Sequence, residues 1–363
     1  MPAHEEHDLT PAGFCALRVA AVDGLTDDSV AVTFDVPAEQ VERFRFRPGQ
    51  HLTLRRVVDG VDLRRTYSVC SSAAGGALRV AVKRLDGGAF STWATRELRA
   101  GDAVEVLPPA GTFGPELDPA QARTYGLLAA GSGITPVLSI AASVLDLEPD
   151  SDVLLVYGNR TQDAVMFVEE LADLKDRFPE RLQVLHVLSR EEQESELLSG
   201  RLDGERLRLL AAAGLLPVDE VDAWYLCGPF GMVTGGREAL LELGAAPATV
   251  HVELFHADAP PPRPPRQGPA QDASVVHVRL HGRSTTVEVD PDAQTVLDAV
   301  LARRPDAPYA CRGGVCGTCR ARVVEGAVDL DVNYALEADE LAAGVVLTCQ
   351  ARPTTPAVRL EFL

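Results

Sequence analysis

The sequence predicts a multidomain protein: a small antiparallel β-barrel, a doubly wound α/β domain, and a C-terminal module built from a hairpin, a helix and a cysteine-rich loop. Three observations carry this. Short strands punctuated by PGQ, AAGG and AGD fill residues 13 to 115, and apolar runs alternate with helical patterns from about 120 to 258. The stretch DAPPPRPPRQGPAQD, residues 258 to 272, then sets the last 91 residues apart. Six of its fifteen residues are proline, so it reads as an extended, semi-rigid tether reaching about 40–45 Å at ~3.1 Å per residue. The domain boundaries read 1–117, 118–258, a linker at 259–272, and 273–363.

In the first region, ALRVAAVDGL, VAVTFDV, HLTLRRVV, LRRTYSVCS, ALRVAVKRL and DAVEVLPP read as short strands, and FSTWATRELR as the one helix of a small barrel. In the second, YGLLAA, DVLLVYG, LQVLHVLS, AWYLCG and TVHVELF read as buried parallel strands. Between them AVMFVEELADLKDRF is apolar at helical spacing with acids near its start. A sheet of this kind binds ligands at the carboxyl ends of its strands. In the third, SVVHVRLHG and STTVEVD form a hairpin and QTVLDAVLARR a helix before the cysteine loop.

Composition narrows the function. Hydrophobic residues make up 46% and charged residues 24%, enough apolar material for several cores. The net charge of −19 repels phosphate backbones and anionic lipid, so no nucleic-acid or membrane-surface partner is expected. MPAHEEHDLT lacks the basic start and apolar core of a signal peptide. The uncharged positions 124 to 145 are long enough to span a bilayer, but GSGITP in their middle favours a strand–turn–helix. Seven cysteines without an export signal point to reduced thiols in the cytoplasm.

Cys311, Cys316 and Cys319, in YACRGGVCGTCR, follow C-x4-C-x2-C, and 29 residues separate Cys319 from Cys349 in VLTCQA. Four thiolates at that spacing are the ligand set of a plant-type 2Fe–2S ferredoxin. Gly313, Gly314 and Gly317 would let backbone N–H groups approach the cluster sulfurs. Structural zinc also takes four cysteines, but normally as two short pairs.

With RTYS, GSGITP and CGPFGM added, the chain resembles the ferredoxin–NADP reductase superfamily, in the branch that ends in a β-grasp plant-type ferredoxin domain. The resemblance covers nearly the whole chain. It implies that Arg65 holds flavin phosphate, that Tyr67 and Ser68 contact the isoalloxazine, and that Gly88 and Ser91 in GGAFST offer a helix start to a pyrophosphate. That helix favours FAD over FMN. It also implies a nucleotide turn at Gly131, Gly133, Thr135 and Pro136, with Thr135 as cap, and a second nicotinamide segment at Cys227, Gly228 and Pro229. Cys227 would position the reacting ring, since hydride transfer needs no thiolate. Arg160, Ser189 and Arg190 lie where the adenosine ribose is read, and a Ser-Arg pair in relatives takes the 2′-phosphate, so NADPH is expected ahead of NADH. Glu253 and Phe255, in HVELF, match the segment whose aromatic covers the flavin; Ser68, Cys227 and Glu253 are the expected catalytic group.

The function implied is a reductase that takes hydride from NAD(P)H and passes single electrons through FAD and a 2Fe–2S cluster to the oxygenase component of a multicomponent monooxygenase. The order of modules and the run from GGVCGTC through NYALE to the acidic DEL segment are most similar to phenylacetyl-CoA epoxidase reductases. Reductases of Rieske-type steroid and aromatic-ring oxygenases share that order. A non-catalytic iron–sulfur sensor or docking protein would need neither RTYS nor GSGITP.

Overall fold

A computed structural model describes residues 13–58, 60–255 and 273–363. The proline-rich stretch at 259–272 lies outside the described residues. All six strands expected in the first region form one antiparallel sheet. They are β1 (Cys15–Thr26), β2 (Ser29–Asp35), β3 (His51–Val58), β4 (Val61–Ser68), β5 (Leu78–Lys83) and β6 (Ala103–Val106), in the order β4-β3-β6-β1-β2-β5. A bridge between Val69 and Val80 brings the two edges together, closing the barrel. Alternating residues such as Leu17, Val19, Leu52, Leu54, Val80 and Val82 fill it. Helix α1 (Ala89–Arg96) packs Phe90 and Ala94 into that core.

The second region forms β7 (Thr124–Ala130), β8 (Asp152–Asn159), β9 (Leu182–Leu188), β10 (Ala223–Gly228) and β11 (Val250–Leu254), all parallel, in the order β11-β10-β7-β8-β9. Its helices are α2 (Ile134–Leu147), α3 (Val168–Arg177), α4 (Gly204–Ala212) and α5 (Phe230–Glu242). The chain order reverses between β7 and its neighbours β8 and β10, which opens a crevice at their carboxyl ends. The helix expected from AVMFVEELADLKDRF starts only at Val168. Met166 and Phe167 are buried in the connection before it, and Phe167 takes a left-handed backbone with φ 61°. Their apolar character thus reflects core packing and not helix periodicity. Barrel residues Cys70, Ala81 and Phe113 share one core with Ile134, Val137 and Tyr157, so these two regions meet through apolar side chains.

The third region contributes β12 (Ser274–Leu280), β13 (Arg283–Val289), α6 (Val296–Leu301), β14 (Arg320–Glu325), β15 (Val328–Leu330), α7 (Ala338–Ala342), β16 (Val345–Leu347), β17 (Ala351–Pro353) and β18 (Ala357–Phe362). Five of these strands form a mixed sheet, β13-β12-β18-β14-β16, with β18 parallel to β12. The hairpin β12–β13 and the helix α6 laid over the core give the β-grasp pattern. Helix α6 is shorter than QTVLDAVLARR suggests, but it carries a full capping box between Thr295 and Asp298. No helix among the described residues is long and apolar enough to cross a membrane.

Candidate functional site

The cysteine loop runs from the end of α6 to β14. Its three thiols and that of Cys349, which follows β16, stand as two pairs, Cys311 within hydrogen-bonding reach of Cys316, and Cys319 of Cys349. Among the described residues, no three His, Cys, Asp or Glu side chains are placed to hold a single metal ion. Two thiol pairs are the arrangement that ligates two irons. Backbone N–H groups of Gly313, Val315 and Cys316 point at the Cys311 sulfur, the first at 3.4 Å, and that of Gly314 at Cys349. The Thr318 hydroxyl donates to the Cys316 sulfur at 3.2 Å and the Gln350 amide to that of Cys349 at 3.4 Å. N–H and O–H dipoles aimed at sulfur stabilise negative charge there. The Cys311 thiol is pulled down to about 6, first by its hydrogen bond with Cys316. The donor set fits a 2Fe–2S cluster. Gly317 has φ +66°, and a Cβ there would lie 2.4 Å from Arg320 Nη1. Gly313, by contrast, has no positive φ and ample room, so the close-approach argument applies to its neighbours and not to it.

Strand β4 places the expected flavin residues. Arg65 is exposed, with Nη1 donating to the Arg64 carbonyl at 2.7 Å and no ion pair among the described residues. Tyr67 lies 5.7 Å from the buried Phe90 ring, tilted by 33°, and Phe90 meets Trp93 edge-on, so an aromatic cluster sits beside the start of α1. Gly88 is the N-cap of that helix and has no side-chain cap bond, so first-turn N–H groups remain available to an anion. Ser91 is different. Its hydroxyl accepts from the Leu85 N–H at 3.1 Å and donates to the Gly88 carbonyl at 3.2 Å, and its side chain is buried. It closes the turn.

The carboxyl ends of β7 and β10 meet at Gly133, where a Cβ would lie 2.1 Å from the Cys227 carbonyl oxygen. Only glycine allows the two strand ends to pack. Helix α2 starts at Ile134 with Gly133 as cap, which moves Thr135 from the expected cap position into the first turn. There its hydroxyl donates to the Ser132 carbonyl at 3.0 Å, and Pro136 follows where no N–H bond is lost. The Tyr157 hydroxyl donates to the Gly131 carbonyl at 3.0 Å and fixes the turn. Gly228 ends β10 and Pro229 caps α5. Arg160 and the Ser189–Arg190 pair, all exposed, are joined by backbone bonds: Ser189 N–H to Asn159 O at 2.9 Å and Arg190 N–H to Arg160 O at 2.8 Å. Neither arginine has an ion pair among the described residues.

Ser68, Cys227 and Glu253 come together from three strands. The Ser68 hydroxyl donates to Glu253 Oε2 at 3.4 Å, and the Cys227 thiol approaches the same oxygen at 3.9 Å. Burial pushes the Glu253 carboxyl up to about 8, so it is protonated at neutral pH. Burial also raises the Cys227 thiol, with Glu253 adding to the effect; it is a neutral group, as a positioning role requires. Phe255 packs, partly buried, on the core shared by the first two regions.

Sequence reading missed Arg64 and His51. Arg64 precedes the flavin segment in LRRTYS but is 1% exposed and points toward the third region. The alternation of a strand was the available signal, because neighbours on β4 face opposite ways. His51, opposite Ser68 in the β3–β4 ladder, is buried and held down to about 4 by burial and by Arg320 of the third region.

A strand with the flavin motif, a nucleotide crevice and a four-thiol site on one chain define an electron-transferring flavin oxidoreductase with its own ferredoxin. Family models agree: an oxidoreductase FAD-binding domain matches residues 16–114, an oxidoreductase NAD-binding domain 127–238, and a 2Fe-2S iron-sulfur cluster binding domain 278–354. The chain belongs to the ferredoxin–NADP reductase-like family that carries a C-terminal 2Fe–2S domain, and it binds FAD, NAD(P)H and a 2Fe–2S cluster. It is 46% identical to the E component of the 1,2-phenylacetyl-CoA epoxidase of Escherichia coli (strain K12), across 96% of this chain and 98% of that one. It is 38% identical to the ferredoxin reductase component of 3-ketosteroid-9-alpha-monooxygenase of Rhodococcus rhodochrous, across 95% and 96%. Phthalate dioxygenase reductase shares the fold, with a TM-score of 0.56 and 23% identity over 96% of this chain and 98% of that one.

Proposed function

We propose that the chain draws electron pairs from NADPH and delivers them one at a time to an oxygenase, the di-iron epoxidase that acts on phenylacetyl-CoA. FAD and the 2Fe–2S cluster, when bound, supply the conversion of one two-electron delivery into two one-electron deliveries. The protein's own residues hold and orient. Arg65 and the start of α1 would bind the flavin's phosphates, with Tyr67 against its ring. The turn at Gly131 and Gly133 and the segment at Gly228 and Pro229 would hold the nicotinamide nucleotide. Ser68, Cys227 and protonated Glu253 would frame the ring that receives the hydride. The two cations at Arg160 and Arg190, unpaired among the described residues, support NADPH over NADH. Residues 1–117, 118–258 and 273–363 would divide this work, joined by 259–272. Seven free cysteines support a reducing cytoplasm.

The observation that carries the partner is the near-full-length similarity to the phenylacetyl-CoA epoxidase component, which is greater than that to the steroid monooxygenase reductase. The test is reconstitution. The purified protein should support NADPH-driven epoxidation of phenylacetyl-CoA when the di-iron oxygenase is added, with NADH the poorer donor. Turnover only with a Rieske-type oxygenase would overturn the assignment of the partner.

A further inference from the structure

One buried cation joins the flavin strand to the cysteine loop. Arg64, on β4, donates from Nη1 to the Ala307 carbonyl and from Nη2 to the Pro305 carbonyl, both at 3.0 Å. Asp62 accepts from Nη2 at 2.9 Å. The guanidinium carbon lies 4.3 Å from the Tyr309 ring centroid and 5.3 Å from that of Phe14. Burying a charge is costly unless it is paired and its donors are satisfied. Here two carbonyls and one aromatic face come from the third region, so undocking that region strips Arg64 of most of its partners. Tyr309 stands two residues before Cys311, and the flavin candidates Arg65 and Tyr67 are one and three residues after Arg64. A second contact, Phe230 edge-on to Tyr334 at 6.1 Å, and the packing of Val315 on the nucleotide-domain core also hold the third region in place.

We propose that Arg64 is the positioning residue for electron transfer from flavin to cluster: its guanidinium fork locks the 305–309 segment, and with it the cysteine loop, onto the flavin strand. This rests on the FAD and cluster reading above. Two electrons and a proton enter as hydride from NADPH. Each crossing moves one electron, no bond is made or broken at Arg64, and the proton leaves to solvent after the second crossing.

The test uses the full-length holoprotein and two variants, Arg64→Met, which keeps the apolar stem, and Tyr309→Leu, which acts from the other side. Anaerobic rapid mixing with NADPH follows flavin bleaching, and freeze-quench paramagnetic resonance follows the reduced cluster. Flavin reduction should stay within twofold of the parent, and cluster reduction should slow tenfold or more with an unchanged cluster spectrum. The double variant should be no slower than the slower single one. Small-angle scattering should show a larger radius of gyration for Arg64→Met. Cluster reduction within twofold of the parent in Arg64→Met, or in Tyr309→Leu should Arg64→Met not fold, overturns the Arg64 proposal alone. A parent lacking FAD or the cluster signal overturns the functional reading and this proposal with it.

Discussion

Glu253 shows how one side chain can be tuned by its surroundings. Burial, with the Ser68 hydroxyl and the Cys227 thiol against Oε2 among the described residues, pushes the pKa of the Glu253 carboxyl up to about 8. Below that pH it can share a proton with its neighbours; above it, a carboxylate stands there with no cation beside it among the described residues. The rate of flavin reduction by NADPH should therefore fall about tenfold or more as pH rises through 8, in line with the usual worth of a positioned acid. Glu253→Gln should give a slower rate that no longer changes there. A transition near pH 8 that survives in Glu253→Gln would assign it to another group.

At the scale of elements, the cysteine loop makes a sharper demand than its composition suggests. Gly317 is left-handed and its Cβ position is taken by Arg320, whose Nη2 donates to the Ala335 carbonyl at 3.0 Å and whose Nε lies 3.2 Å from Glu340. Gly317→Ala combines a left-handed backbone cost of about 1–2 kcal/mol with displacement of an anchored arginine. Iron loss to a chelator should accelerate several-fold, while Gly313→Ala, with open space around it, should hold iron like the parent; equal rates for the two would contradict the geometry. The cysteine spacing, the barrel strands and the five parallel strands were legible because period-two alternation and continuous apolar runs are local signals. The convergence of Ser68, Cys227 and Glu253 was legible only through resemblance, since the last lies 185 positions after the first. The start of α3 was misread because Met166 and Phe167 serve the core through an irregular turn. Strand alternation separates Arg64 from the exposed Arg65 beside it, but nothing local shows that its partners are carbonyls 241 and 243 residues away.

Taken whole, the molecule has an acid-sensitive seam where the barrel meets the third region. His51 is buried there, and burial first, then the positive charge of Arg320, holds its pKa near 4 against 6.5 for a free imidazole. A folded pKa below the unfolded one means that the unfolded chain binds the extra proton. The stability is fully present above pH 6.5 and is lost as pH falls toward 4, by about 3 kcal/mol at ~1.4 kcal/mol per unit. Thermal midpoints should drop across that window, and His51→Gln should flatten the drop; an equal slope in both proteins would remove His51 from the account. His51 also pairs across the ladder with Ser68 in a hairpin whose register runs unbroken from there to Val58 and Val61. Five consecutive positions of β4 thus include the cation that meets the third region, the proposed flavin arginine and tyrosine, and the serine beside Glu253. Successive residues of a strand point to opposite faces, so a slip of one position would exchange all of them at once. A residue gained or lost within β4 itself would therefore disturb the third-region contact and the flavin-strand positions together.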